Sequence, residues 1–146
     1  MQELKGSFVA LVTPMKSNGE IDFPALKELV EWHIESGTHG LVSVGTTGES
    51  ATLNFNDHVK VLEKTISYIN NEIVAIAGTG ANSTDEAIEL NKAASSIGYE
   101  FALSVTPYYN KPNQLGLEAH YKKIADSSEI KNILYNVPSR TACDLE

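Results

Sequence analysis

Two threonines, Thr46 and Thr47, stand where an apolar run turns polar: Val42-Ser43-Val44-Gly45-Thr46-Thr47-Gly48-Glu49-Ser50. Peptide N–H groups and hydroxyls at the mouth of a strand suit holding a small carboxylate or relaying a proton. Gly45 and Gly48 let the backbone turn sharply and approach a ligand closely. The same residues also suit a tight βα turn in which Thr and Ser satisfy local backbone groups. Thr13, Thr79, Tyr108-Tyr109 and the segment Tyr135 to Arg140 follow apolar runs in the same way. Gly78-Thr79-Gly80 begins like a dinucleotide loop, but Ser83 stands where the third glycine belongs, so no cofactor is expected. His33, His39, His58 and His120 show no metal-ligand spacing, and no metal is implied.

The elements that must position these groups read as alternating strands and helices. Short apolar runs predict strands at Phe8–Val12, Gly40–Val44, Ile73–Ala77, Phe101–Val105 and Ile133–Asn136, the first fully buried and the second and third buried. Between them lie helical patterns. Asp22 caps a helix with Pro24 in its first turn, a face of Leu26, Leu29, Val30 and Ile34, and Gly37 at its end. Asn54 with Asp57 opens a second, marked by Val59, Leu62, Ile66 and Ile69. Ser83 with Glu86 opens a third through Ala87, Leu90, Ala94 and Ile97 to Gly98, and Leu117, Tyr121 and Ile124 mark a fourth. βα units recurring roughly every 30 residues predict parallel strands with right-handed crossovers. That spacing fits an open doubly wound sheet and a closed barrel alike. The polar clusters at the carboxyl ends of successive strands are where sites sit in both.

The chain has 146 residues, 42% hydrophobic and 21% charged, as expected of one soluble domain without an internal boundary. Its net charge of −8 argues against a nucleic-acid partner. Cys143 is the lone cysteine, which excludes an internal disulfide and fits a cytoplasmic setting. Met1-Gln2-Glu3-Leu4-Lys5 lacks a cationic-then-apolar leader pattern, and no run suggests a membrane span.

Four segments taken together carry a resemblance. Gly45 to Ser50, Ala77-Gly78-Thr79-Gly80-Ala81-Asn82, Thr106-Pro107-Tyr108-Tyr109-Asn110-Lys111-Pro112 and Tyr135-Asn136-Val137-Pro138-Ser139-Arg140-Thr141 resemble the dihydrodipicolinate synthase (4-hydroxy-tetrahydrodipicolinate synthase) family, in its order and spacing. The resemblance implies an α/β fold of the (β/α)8 TIM-barrel class, here about its first five βα units. It implies a lyase of class I aldolase type, which condenses pyruvate, held as a lysine Schiff base, with aspartate semialdehyde in lysine biosynthesis. Tyr135 resembles the proton-shuttling tyrosine, Thr46 its hydrogen-bond partner, and Tyr109 the relay member that reaches into a neighbouring subunit. A phenol needs such partners to pass protons near neutrality. Thr47 resembles the ligand of the pyruvate carboxylate. Arg140 resembles the residue for the semialdehyde's carboxylate, a task suited to a bidentate guanidinium. Ala51, His58, Asn82, Glu86 and Tyr108 match a lysine-inhibition site, from which Phe55 departs where some members have histidine. A homo-oligomer, a tetramer built from dimers, is implied as well.

The family runs to about twice this length and carries its Schiff-base lysine on the sixth strand. Lys5, Lys16, Lys27, Lys60, Lys64, Lys92, Lys111, Lys122, Lys123 and Lys131 all fall outside the predicted strands, and Lys111, before a proline, is a poor nucleophile. The reading is therefore of an N-terminal portion with relay and binding groups but no nucleophile, expected to associate through open sheet edges. A sialic acid lyase-like aldolase and a non-catalytic half-barrel are the alternatives.

Overall fold

The computed structural model describes residues 4–146, so the first three residues of the leader reading lie outside the described residues. The chain divides into two compact units, 1–78 and 79–146.

The first unit runs β1 (Phe8–Ala10), α1 (Phe23–Glu35), β2 (Gly40–Ser43), a 3-10 turn at Ser50–Thr52, α2 (Phe55–Ile69) and β3 (Val74–Gly78). β2 pairs in parallel with β1, Phe8 opposite Gly40, and with β3, Gly40 opposite Val74. α1 starts where Asp22 accepts the Ala25 N–H at 3.1 Å, with Pro24 in its first turn. Such a cap is worth about 1 kcal/mol. Gly37, at φ 77, then lets the chain leave the helix. α2 starts at Asn54, which accepts the Asp57 N–H at 3.0 Å and returns a side-chain bond to Asp57 at 2.7 Å. Leu26, Val30, Leu41, Val61, Leu62, Ile69 and Ile76 form the buried apolar interior.

Two expectations need correction here. β1 is shorter than predicted and is not fully buried: Leu11 and Thr13 are buried, whereas Ala10 is exposed and Val12 is 49% exposed. Within β1 Phe8 and Val9 are only half-buried, and from Ala10 to Thr13 exposed and buried residues alternate as side chains do along extended chain. The buried stripe of α2 is His58, Val61, Leu62, Thr65 and Ile69, so Val59 and Ile66 lie at its flanks. Two polar residues take core positions, which hides the stripe from an apolar periodicity.

The second unit holds α3 (Thr84–Ile97), β4 (Phe101–Val105), α4 (Gln114–Ala125), β5 (Lys131–Tyr135) and a single turn, α5 (Pro138–Thr141). β4 and β5 are parallel, from Phe101 opposite Lys131 to Val105 opposite Tyr135. Ser83 caps α3, and Gly98, at φ 112, ends it. Asn113, not anticipated as a cap, accepts the Gly116 N–H at 2.8 Å to start α4. Ala81, Ala87, Leu117, Tyr121, Ile124 and Cys143 form the core, with Ile88 and Leu145 against it. β5 begins two residues before its expected start, which places Lys131 inside a strand. It sits at the amino end, exposed, 2.6 Å from Glu100 and 5.1 Å from the Phe101 ring centroid. A Schiff-base lysine needs a buried setting, and Lys131 is instead exposed and ion-paired at the strand's amino end.

Candidate active site

In the first unit the fully buried β2 delivers the chain into the Thr46–Thr47 turn. Val44 makes the corner at φ 53. A β-branched residue resists that region, and holding it there costs about 1–3 kcal/mol. Close packing enforces it. Val44 is 1% exposed, and a Cβ added to Gly78 of β3 would fall 2.1 Å from the Val44 carbonyl oxygen. His58 Nε2 donates to the Gly78 carbonyl at 2.7 Å, fixing the other side of that glycine. Thr13 Oγ1 donates to Gly48 O at 2.8 Å, and Glu49, at φ 60, donates its N–H to Thr46 O at 3.1 Å. The turn is therefore built, with Thr46 and Thr47 exposed on it at the carboxyl end of β2.

The glycines divide in role. Gly48 is buried, and a Cβ there would meet Leu11 O and Val44 Cα at 3.0 Å, so close chain packing accounts for it. Gly45 has only Val42 Cγ1 near, at 3.6 Å. Gly80 resembled part of a dinucleotide loop, yet a Cβ there would fall 2.4 Å from the Val105 N. Its need for glycine comes from β4.

In the second unit Val105 and Tyr135 form the last ladder pair, and the Thr106 N–H donates to Tyr135 O at 3.0 Å. Tyr135 is half-buried at the carboxyl end of β5. The Tyr108–Tyr109 loop leaves the end of β4. Tyr108 donates its N–H to Asn82 Oδ1 at 2.8 Å. Tyr109 lies at φ 70, 92% exposed, and the Asn110 N–H donates across it to Tyr108 O at 2.9 Å. That i to i+2 bond around a positive φ is the rare, strained form of the γ-turn. Arg140 is exposed on α5. Thr141 Oγ1 bonds Val137 O and Cys143 O at 3.1 and 2.8 Å, and Asn136 Nδ2 bonds Asp144 at 2.8 Å; both pin α5. Tyr121, by contrast, is a core phenol. Burial first, and Cys143 second, push its pKa far above the usual phenol range, so it passes no proton near neutrality.

The five residues matched to an inhibition site lie differently. Ala51 is exposed in the 3-10 turn, and Glu86 is exposed in the first turn of α3. Asn82 and Tyr108 are hydrogen-bonded to each other. His58 is 4% exposed and committed to Gly78, and burial lowers its pKa despite that bond. Among the described residues no three His, Cys, Asp or Glu side chains gather as a metal site, and no helix is long and apolar enough to cross a membrane. Sequence reasoning missed the Asn82 anchor, the Asn136–Asp144 clip and α5. For α5 the available signal was Pro138 at a helix start, too short to show a period.

Five βα units with parallel strands and polar groups at the strands' carboxyl ends define an α/β protein of the (β/α)8 TIM-barrel class. Residues 3–146 match the model of the dihydrodipicolinate synthetase family, and the chain belongs to that family. It is 61% identical over 142 residues to a 4-hydroxy-tetrahydrodipicolinate synthase of Ruthia magnifica subsp. Calyptogena magnifica, covering 97% of this chain and 48% of the relative. A chloride-inhibited dihydrodipicolinate synthase from Acinetobacter baumannii, complexed with pyruvate, superposes with a TM-score of 0.96 at 56% identity, over 99% of this chain and 50% of that one. The enzyme from Cyanidioschyzon merolae with lysine bound gives 0.92 at 39% identity, over 95% and 48%. The chain thus spans about half the length of the curated relatives it matches.

Proposed function

We propose that this chain contributes substrate-binding and proton-relay residues to a 4-hydroxy-tetrahydrodipicolinate synthase, a lyase-class enzyme of lysine biosynthesis that condenses pyruvate with aspartate semialdehyde. One observation carries the reading. The match to the pyruvate-complexed relative spans 99% of the chain at 56% identity. The roles follow from chemistry. Thr47, on the exposed turn, offers donors to the carboxylate of pyruvate, which is held as a Schiff base on a lysine other than those of this chain. Tyr135 takes the proton transfers at the Schiff-base carbon and nitrogen, and Thr46 the role of its relay partner, as the family resemblance implies. Tyr109, projecting on its strained turn, completes the relay in a neighbouring copy of a homo-oligomer. Arg140 takes the carboxylate of the semialdehyde through paired N–H donors. No organic cofactor or metal enters this chemistry, and a cytoplasmic setting suits it. Ala51, Asn82, Glu86 and Tyr108 are the remaining candidates for binding lysine as an inhibitor. His58 would join them only by giving up its bond to Gly78.

The test uses the whole protein with pyruvate and aspartate semialdehyde, following loss of pyruvate, with N-acetylneuraminate cleavage as the competing assay. Condensation is expected, and Tyr135→Phe is expected to lower kcat by about 10²–10⁴-fold, as loss of a positioned acid–base group does. Turnover of N-acetylneuraminate without condensation would overturn the reading.

A further inference from the structure

We propose that Asn82 is a positioning residue for Tyr109, setting the turn from which that side chain projects. The inference rests on the relay role given to Tyr109 above. Tyr109 is 92% exposed and has little packing of its own to hold a positive φ. A strained turn persists only when its surroundings over-determine it. The bond from Asn110 N–H to Tyr108 O closes the turn from within. The bond from Tyr108 N–H to Asn82 Oδ1, at 2.8 Å, ties it to the scaffold at the residue just before the strain.

Asn82 is itself fixed from both sides. Upstream, the Thr79 N–H donates to Leu103 O of β4 at 3.0 Å. Downstream, Ser83 caps α3, and Thr84 Oγ1 lies 2.9 Å from His120 Nδ1 of α4. Constraint therefore runs from α3, β4 and α4 through one amide oxygen into the loop. Without that oxygen the Tyr108 N–H loses its tie to the scaffold, the turn relaxes toward negative φ, and the Tyr109 hydroxyl leaves its station.

The experiment pairs amide hydrogen exchange with kinetics on the whole protein, for Asn82→Ala, Asn82→Asp, Tyr109→Phe and the double variant N82A/Y109F. Asp keeps an acceptor at the same reach, so it serves as the rescue. Expected for Asn82→Ala are faster exchange in peptides covering 106–112, unchanged exchange in α3 and β4, and kcat lower by about tenfold to a hundredfold, the scale of a misplaced group. The KM for pyruvate should stay within about twofold, because Thr47 is untouched. Asn82→Asp should restore loop protection and recover kcat relative to Asn82→Ala. The double variant should be no slower than Tyr109→Phe, since the two act through one group. Unchanged loop exchange in Asn82→Ala would overturn the proposal. So would additive losses in the double variant, which would make Asn82 an anchor unrelated to Tyr109. Absence of condensation in the unsubstituted protein would fail the functional reading alone, and the exchange comparison would still decide whether Asn82 sets the turn.

Discussion

Gly78→Ala should be among the most damaging single-methyl additions in the first unit. The added Cβ would meet three backbone atoms: Val44 O at 2.1 Å, Val44 C at 2.5 Å and Gly45 N at 2.8 Å. None can rotate away as a side-chain tip does. Bringing the closest contact to a tolerable ~3.0 Å means opening that corner by about 0.9 Å, from 2.1 Å. A ladder bond near 2.9 Å stretched by that amount is no longer a hydrogen bond. The end of the β2–β3 pairing, Ser43 opposite Ala77, is the part exposed to this, together with the His58–Gly78 bond. One or two lost bonds at about 1 kcal/mol each, on top of overpacking at about 1–3 kcal/mol, give about 2–5 kcal/mol. Gly45→Ala is the control in the same turn. Its new Cβ would meet only Val42 Cγ1 at 3.6 Å, an ordinary contact, so its effect should stay within about 1 kcal/mol of zero. Urea unfolding followed by far-UV circular dichroism measures both. A Gly78→Ala midpoint corresponding to less than 1 kcal/mol of destabilisation, with an unchanged slope, would refute the steric reasoning.

The remaining predictions address single interactions. Burial holds His58 neutral, with its pKa below 6.5, so the unfolded chain takes up that proton first. Its contribution is complete above about pH 6.5 and is lost as pH falls through the folded value. Stability–pH curves should therefore be flatter in this window for His58→Gln, whose amide can still donate to Gly78, although His120 keeps a slope of the same sign. Asn113→Ala removes the α4 cap and should cost about 1 kcal/mol in a denaturation midpoint. Cys143, 6% exposed, should react with an aromatic disulfide reagent far more slowly folded than in denaturant. Borohydride trapping of the whole protein with pyruvate should leave every lysine of this chain unmodified, Lys131 included, by peptide mass; an adduct on any of them would overturn the assignment of the nucleophile elsewhere.

Much of the fold was legible because its signals are local. Parallel strands buried on a face are short apolar runs, and caps such as Asp22, Asn54 and Ser83 lie three residues from the N–H groups they satisfy. The Thr46–Thr47 turn could likewise be read from composition, since glycines and hydroxyls after a β-branched run have few other uses. What the tertiary structure decided depends on residues far apart in the chain. The left-handed corner at Val44 exists because β3 brings Gly78 against it, and Val itself argues for an extended backbone. His58 and Thr65 occupy the core stripe of α2, a placement no apolar period reveals. His58 finds Gly78 twenty residues on, and Asn82 finds Tyr108 twenty-six residues on. Sequence pattern sets which faces are apolar and where the backbone can turn. Which polar group satisfies a distant N–H or carbonyl, and which residue is held in strain as a result, is settled only when packed strands bring those groups within about 3 Å.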